Sequence, residues 1–416
     1  MQSWLSAKRL AILSAVPLTA ILPTGADRAC ADYQLELQPA ILHDSNIFRL
    51  PDPIRRGLPH GGSDRITGLG AIASVAINPR WAQIEADGSI TRASFAHFGY
   101  LDNTAYALSA SLRHDERSGT VEVRGSLNRR LTSFEDNLRT TRDIQRLSTG
   151  SIDATRALFG DFRIVGGADI QANANSDPVL ALNDYTRTGY HGGFGYYSPT
   201  GSILAIEAAT SGTTGARART AIVGTTPITY RTAFRERSVQ LHLLWLPSVI
   251  WRIEARGGYT AHRDRSGTGA DFSGLTGQFD VRWSPRDTIQ LQLSARRSFQ
   301  SQSAVFSNGV RTSAVSAKLV GQATPSLSFA LAAERRWRLF RFDLQAPSLL
   351  GRAERITTGD ATLTYSPSRH VALTLNGEVG RRTSSLAAFR YRDHSLSAGL
   401  RVGFGNADKG LAPYDR

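Results

Sequence analysis

Strict alternation of apolar and polar residues is the feature that most limits what this chain can fold into. In RHVALTLNGEVG, Val371, Leu373, Leu375 and Val379 alternate with Ala372, Thr374, Asn376 and Glu378. In DTIQLQLSARRS, Ile289, Leu291 and Leu293 alternate with Gln290, Gln292 and Ser294. SVIWRIEARGGY and SLSAGLRVGF behave the same way, with Trp251, Ile253, Ala255 and Tyr259 in the first and Leu396, Ala398, Leu400, Val402 and Phe404 in the second. A period of two puts successive side chains on opposite faces of a strand, so each segment has one greasy and one wet face. No comparable 3.6-residue stripe appears, and no break in composition marks a domain boundary.

Turn signals divide the chain into about eighteen such strands. Short connections at Asn78-Pro79-Arg80, Asp115–Gly119, Phe159-Gly160-Asp161, Ser198–Gly201, Leu246-Pro247-Ser248, Ser284–Asp287, Thr324-Pro325-Ser326 and Ser366–Arg369 carry the Pro, Gly, Asp and Ser that close tight turns. They alternate with longer polar connections at 44–64, 97–103, 132–143, 175–184, 212–232, 262–271, 300–310, 339–353 and 382–392. The intervening segments are about 12–15 residues, against the five or six usual in soluble sheets. A tilted strand needs at least about nine to eleven residues to cross a bilayer. Backbone in lipid must satisfy every N–H and C=O, which without helices requires a closed sheet. The chain is therefore expected to be all-β: a transmembrane antiparallel β-barrel of the outer membrane, with short periplasmic turns and longer extracellular loops. The first strand, YQLELQPAIL, is the weakest assignment because it holds Pro39.

The N-terminus fits export. Lys8 and Arg9 precede the apolar run Leu10–Leu22, and Ala29-Cys30-Ala31 has the small-x-small pattern of a signal-peptidase site. The expected organisation is a signal peptide at 1–31 cleaved after Ala31, a barrel at 32–404 and a short periplasmic tail at 405–416. Cleavage removes the one cysteine, Cys30, and the one methionine, Met1. That excludes disulfides, cysteine catalysis and thiolate metal sites from the mature chain. Removing Lys8, Arg9, Arg28 and Asp27 leaves 46 basic and 34 acidic residues of the 49 and 35 in the chain. Export argues against nucleic acid as the partner of this positive charge.

Aromatic residues cluster on the apolar register near the short turns. Tyr196, Trp245, Trp251, Trp283 and Phe404 lie where an interfacial girdle would sit against outer-membrane lipid; Trp81 falls on the polar register. Charges on the lipid face cost about 2–4 kcal/mol each near the midplane. Arg124, Arg163, Arg252, Arg256, Arg282, Arg296 and Arg401 are thus expected to line the lumen together with Glu122, Asp169, Glu254, Asp280 and Glu378. Two readings compete: a ladder of structural ion pairs, or a basic-leaning channel that draws in anions.

No motif points to chemistry. HDSNIFRLPD (His43–Asp52) has Asp44 and Asn46 at calcium-loop spacing, but Phe48 takes the next ligand position and the required Gly and Glu are missing. The nine histidines form no HExxH pair. HGGS (His60–Ser63) has no GxSxG after it, and GGFG (Gly192–Gly195) reads as a strand with small residues at a crowded place. No enzyme and no cofactor is expected.

HDSNIFRLPD resembles the signature of the EpsL-type outer-membrane β-barrels, a β-barrel porin family that accompanies exosortase-linked (PEP-CTERM-associated) exopolysaccharide gene clusters. The likeness continues through NPRWAQIEADGSITRASFAHFGYLDNTAYALSASL (Asn78–Leu112) and NRRLTSFEDNLRTTRDI (Asn128–Ile144), so it covers the N-terminal third. It implies a conduit or docking component for a secreted polysaccharide, working with periplasmic or inner-membrane export components, and it brings no catalytic residues. A general or anion-preferring porin for small solutes is the alternative, and a barrel-embedded hydrolase the third possibility. Loops His43–Asp64 and Ser211–Thr232 are expected to shape the outer mouth.

Overall fold

The computed structural model describes residues 31–136, 138–223, 226–266, 271–300, 309–341 and 351–405. The signal peptide and most of the C-terminal tail expected from the sequence lie outside them. The long alternating segments form β1 (Ala31–Asp44), β2 (Asp64–Ile77), β3 (Gln83–Phe95), β4 (Asn103–Glu116), β5 (Gly119–Leu131) and β6 (Ile144–Phe159). The chain continues through β7 (Phe162–Asn175), β8 (Tyr185–Tyr197), β9 (Ile203–Val223), β10 (Thr226–Ser248), β11 (Trp251–Asp264) and β12 (Phe272–Arg286). The last six are β13 (Ile289–Gln300), β14 (Gly309–Thr324), β15 (Leu327–Arg341), β16 (Ala353–Ser368), β17 (Val371–Ser384) and β18 (Tyr391–Gly405). Each pairs antiparallel with its sequence neighbours, and β1 pairs with β18. The result is a closed 18-stranded antiparallel barrel with no free edge.

Closure settles the two faces. One register carries Leu69, Leu275, Val379 and Leu396, each more than half exposed, and these point outward. The other register points into the lumen and is polar. A closed 18-stranded sheet with an apolar exterior is an outer-membrane β-barrel. Its lumen is wide enough for water, as in other barrels of 16–18 strands.

Four strand prolines fall where the ladder is interrupted. Pro39 pairs with Leu69 of β2, but on the β18 side the register jumps from Leu37 to Ala40. The first strand survives because the missing N–H falls in that gap. Pro247, Pro285 and Pro367 likewise lie within register shifts beside the short turns.

One expected loop is a strand pair instead. The 212–232 segment continues β9 and β10 as a hairpin, with Thr220 opposite Thr229. Its apolar residues Ile222, Val223, Ile228 and Tyr230 keep no single alternating register, and the hairpin runs on past the strands at either side. Alternation therefore fails there as a signal, while β-branched residues still favour the pleat.

The two faces predict opposite tolerance to charge. Leu375 points outward on β17 and Thr374 points inward. Leu375→Arg should destabilise the barrel by about 2–4 kcal/mol in urea titrations in lipid vesicles, whereas Thr374→Arg should lie within about 1 kcal/mol of the parent. Equal costs for both would refute the assigned register.

Candidate functional site

Two loops fold into the lumen at the long-loop end. The first is the segment HDSNIFRLPD that follows β1. Ser45 donates its N–H to the His394 carbonyl at 3.0 Å, and Ile47 donates to Gly62 O at 3.0 Å. Asn46 ties the bend together. Its backbone N–H donates to Asp44 Oδ1 at 2.8 Å, its side-chain amide donates to Leu50 O at 2.8 Å and Arg392 O at 3.1 Å, and its Oδ1 accepts from Leu50 N at 3.1 Å. Arg49, in the left-handed region at φ 55°, donates to both Asp44 oxygens at 2.9 and 3.1 Å and reaches Asp393 Oδ2 at 3.1 Å. Asp44 and Asn46, the spaced pair that suggested a cation loop, are thus occupied by an arginine and by backbone.

Phe48 forms the centre of a hydrophobic cluster inside the mouth. It meets Phe98 edge-on at 4.9 Å and Phe134 at 5.0 Å, and Leu42, Ile47, Leu50, Ile66, Phe95 and Leu101 complete the packing. An apolar core inside a polar lumen fixes this loop by burial of aromatic area and closes part of the opening.

Phe134 belongs to the second loop, 132–143, which crosses to the far wall. Asp136 pairs with Arg338 of β15 at 2.5 and 3.1 Å, with Arg382 of β17 at 3.7 Å from the same carboxylate. Glu135 lies 3.7 Å from Arg336, and its carbonyl accepts from Arg382. Glu354 of β16 holds Arg352 and Arg382 together from the wall side. Arg352 also covers the Phe389 ring at 3.4 Å and the Phe340 ring at 4.0 Å. The pairs are buried, so removing one partner would leave an uncompensated charge.

The two loop carboxyls titrate in opposite directions. Burial raises Asp136, but the Arg338 and Arg382 guanidiniums outweigh it and hold it below the usual carboxylate range. Burial first, and the Asp136 charge second, push Glu135 up. Under the loop lies a cavity of about 460 Å³ bounded by Phe134, Glu135, Lys318, Arg336, Asp360 and Glu378. Lys318 is the single lysine between residues 32 and 404.

The seven arginines named from the sequence all fall on the inward register. They do not act as one group. Arg124 pairs with Glu122 at 2.6 Å, and Arg252 and Arg256 share Glu254 at 3.0 and 3.1 Å. Arg163 sits over the Tyr197 ring at 5.5 Å. Among the described residues Arg163, Arg282, Arg296 and Arg401 form no salt bridge. Inward histidines meet carboxylates: His191 reaches Asp153 at 3.3 Å, and His242 lies between Glu207 at 3.5 Å and Glu254 at 3.4 Å. Gly167 makes the first contact possible, because a Cβ there would lie 2.5 Å from the His191 ring and 2.8 Å from the Asp153 carboxylate.

The expectation of a basic-leaning lumen does not hold. Every carboxylate on the described strands except Glu116 falls on the inward register, and there they outnumber the arginines and Lys318. Charges of both signs line the lumen near the short-turn end. Glu36 of β1 and Glu85 and Asp87 of β3 stand near the short-turn end of one wall. Arg252 of β11 and Arg282 of β12 stand at similar depth half a circumference away. Glu254 and Asp280 face each other beside those two arginines, so both signs of charge occur on that wall.

The five aromatics named for the girdle are outward and at the short-turn end. Tyr196, Trp245 and Phe404 are 40, 51 and 53 % exposed, and Trp251 stacks on Trp283 at 5.7 Å. Trp81 is not on a strand; it sits exposed in the turn between β2 and β3. Sequence reasoning missed the loop–wall arginines Arg336, Arg338, Arg352 and Arg382. The density of arginine over 335–341 and 381–382 was the available signal.

Residues 249–404, which hold β11 to β18, match the family model described as Putative beta-barrel porin 2. No curated protein matches the sequence. Among solved structures, the outer-membrane protein OpdK from Pseudomonas aeruginosa is similar at 13 % identity, covering 90 % of this chain and 99 % of that one with a TM-score of 0.45. A BenF-like porin from Pseudomonas fluorescens Pf-5 is similar at 10 % identity, with the same coverage and a TM-score of 0.47. OccAB3 from Acinetobacter baumannii is similar at 9 % identity, again with 90 % and 99 % covered and a TM-score of 0.47.

The latch makes a measurable prediction. Asp136→Asn should release loop 132–143 at a local cost of about 3 kcal/mol, raising single-channel conductance and exposing the loop to protease. A carboxylate with a depressed folded pKa contributes stability that is present above its ordinary value of 3.8 and is lost as pH falls through the lower folded one. The parent loop should therefore stay shut as pH drops from 8 to about 4 and open only below that. Opening near pH 6 would show that Asp136 is not the lock.

Proposed function

We propose that this barrel is a general porin: a passive, water-filled path for small hydrophilic solutes across the outer membrane. The observation that carries the reading is the closed barrel whose inward register is polar and charged, with Glu85 and Asp87 on one wall and Arg252, Glu254, Asp280 and Arg282 on the other. Fixed charges of both signs hold hydrophilic solutes in place of water, and low-dielectric walls strengthen their attraction. The inward loops set the width: Phe48 fills one side of the mouth and the Asp136–Arg338 latch holds the other. The aromatic girdle would anchor the barrel against lipid at the short-turn interface. The match of residues 249–404 to a porin family supports the same reading.

The second reading is the polysaccharide conduit or docking component, and the observation in its favour is the HDSNIFRLPD likeness. In the fold that segment makes the plug, and its polar side chains serve the bend. A narrowed mouth suits small solutes better than a bulky polymer. A deletion strain separates the two: slower uptake of small solutes with normal extracellular matrix fits the porin, and loss of matrix fits the conduit.

Planar-bilayer recordings test the porin directly. The parent should conduct with a mild preference for cations, because carboxylates exceed cationic groups on the inward register. Glu85→Gln with Asp87→Asn should move the reversal potential toward anions, and Arg282→Gln with Arg296→Gln should move it further toward cations. A barrel that never conducts, or a reversal potential indifferent to all four substitutions, would exclude this function.

A further inference from the structure

The positive charge of this chain has a second address. Above the apolar band, at the long-loop end, the outward register turns from aliphatic residues to arginine. Three pairs face each other directly across neighbouring strands: Arg129 and Arg146, Arg235 and Arg263, and Arg381 and Arg392. Directly opposed side chains have Cβ atoms about 4.5–5.5 Å apart, and like charges at that distance repel. Nothing on the same face offsets the repulsion. Arg129 donates to the Thr104 carbonyl and Arg235 to Thr210 Oγ1 at 3.2 Å, both uncharged acceptors. Among the described residues none of the six forms a salt bridge, and the outward register of the described strands holds one carboxylate, Glu116, at the opposite rim. Arg65, Arg311 and Arg355 stand on the outward register at comparable height on β2, β14 and β16.

Height and neighbours identify what would cover this belt. Arg381 lies ten residues from Val371, Arg235 ten from Trp245, and Arg263 and Arg392 twelve from Trp251 and Phe404. At about 3.3 Å per residue and a tilt of about 40°, that is about 25–30 Å above the girdle, just past an apolar band about 25 Å tall. Two of the facing pairs also stand directly over an exposed apolar side chain on their own register, Arg381 over Val379 and Arg129 over Leu127. The matching ligand is an amphiphile with acyl chains below and negative charge above. The geometry points to a belt that binds phosphorylated lipid headgroups of the outer leaflet, one phosphate bridging each facing arginine pair through charge-assisted bidentate contacts. This rests on the outer-membrane barrel alone and not on transport, so a failed conductance experiment would leave it intact.

The test uses the full chain in phosphatidylcholine nanodiscs, titrated with bis-phosphorylated lipid A, with dephosphorylated lipid A or with inorganic phosphate. Native mass spectrometry counts bound lipid, and thermal unfolding reads the stabilisation. Bis-phosphorylated lipid A should bind and raise the melting temperature, with affinity falling as salt increases. Dephosphorylated lipid A should bind at least about tenfold more weakly, and free phosphate should give no shift. Arg381→Gln with Arg392→Gln should weaken binding by about tenfold, while Arg286→Gln with Arg369→Gln at the short-turn rim should leave it unchanged. If the belt variants fail to refold, the salt dependence of the parent decides. Equal binding of the two lipids, the same shift from inorganic phosphate, or salt-independent affinity would each overturn the assignment.

Discussion

The pairing of β1 with β18 is the contact on which the rest of this molecule depends. An open sheet in lipid would expose two rows of unpaired backbone groups, each costing several kcal/mol. Once the seam closes, inside and outside become different solvents, and every residue on a strand is sorted by parity. The seam also runs through the least promising strand. Pro39 survives there because its missing N–H meets an existing gap in the β18 ladder, while the β2 side stays continuous. The loop that leaves this strand then braces the closure, because Asn46 donates to Arg392 O and Arg49 bridges Asp44 of β1 and Asp393 of β18.

Much of the barrel was legible because parity is a local property. Leu373 and Leu375 declare their face to anyone counting by twos, and each short turn announces itself with Pro, Gly, Asp or Ser. Most short turns sit within a residue or two of their expected places, and the one expected at 246–248 falls just beyond Ser248. The hairpin at 212–232 was not legible, since its apolar residues hold no single alternating register. The plug was not legible for a different reason. Nothing local in Asp44, Asn46 or Arg49 says that their partners are one another and a residue some 350 positions away on β18. Long-range ion pairs such as Asp136 with Arg338 have no sequence period at all.

The arginines show how a correct rule can be applied too narrowly. Charge is costly against hydrocarbon, so arginines on the polar register of the apolar band belong in the lumen. The same rule says nothing against arginine on the outward register once the hydrocarbon ends. Counting onward from Leu373, Leu375 and Val379 reaches Arg381 on the outward face, and counting back from Phe404 and Leu396 reaches Arg392. The belt was therefore present in the alternation itself, one or two steps beyond where the apolar run stops.

This partition changes what the net charge means. A chain with 49 basic and 35 acidic residues looks like an anion channel if its charge is averaged. The barrel does not average. Carboxylates are excluded from the outward face almost completely, because headgroups there are themselves anionic and would repel them, and this crowds them into the lumen. Arginine is admitted to both faces, since its charge is welcome at the outer rim and its partners wait inside. The pore is thus left with more negative charge than the sequence as a whole implies. The sign of a barrel's selectivity has to be read from the inward register alone, and the surplus of opposite sign belongs to the membrane.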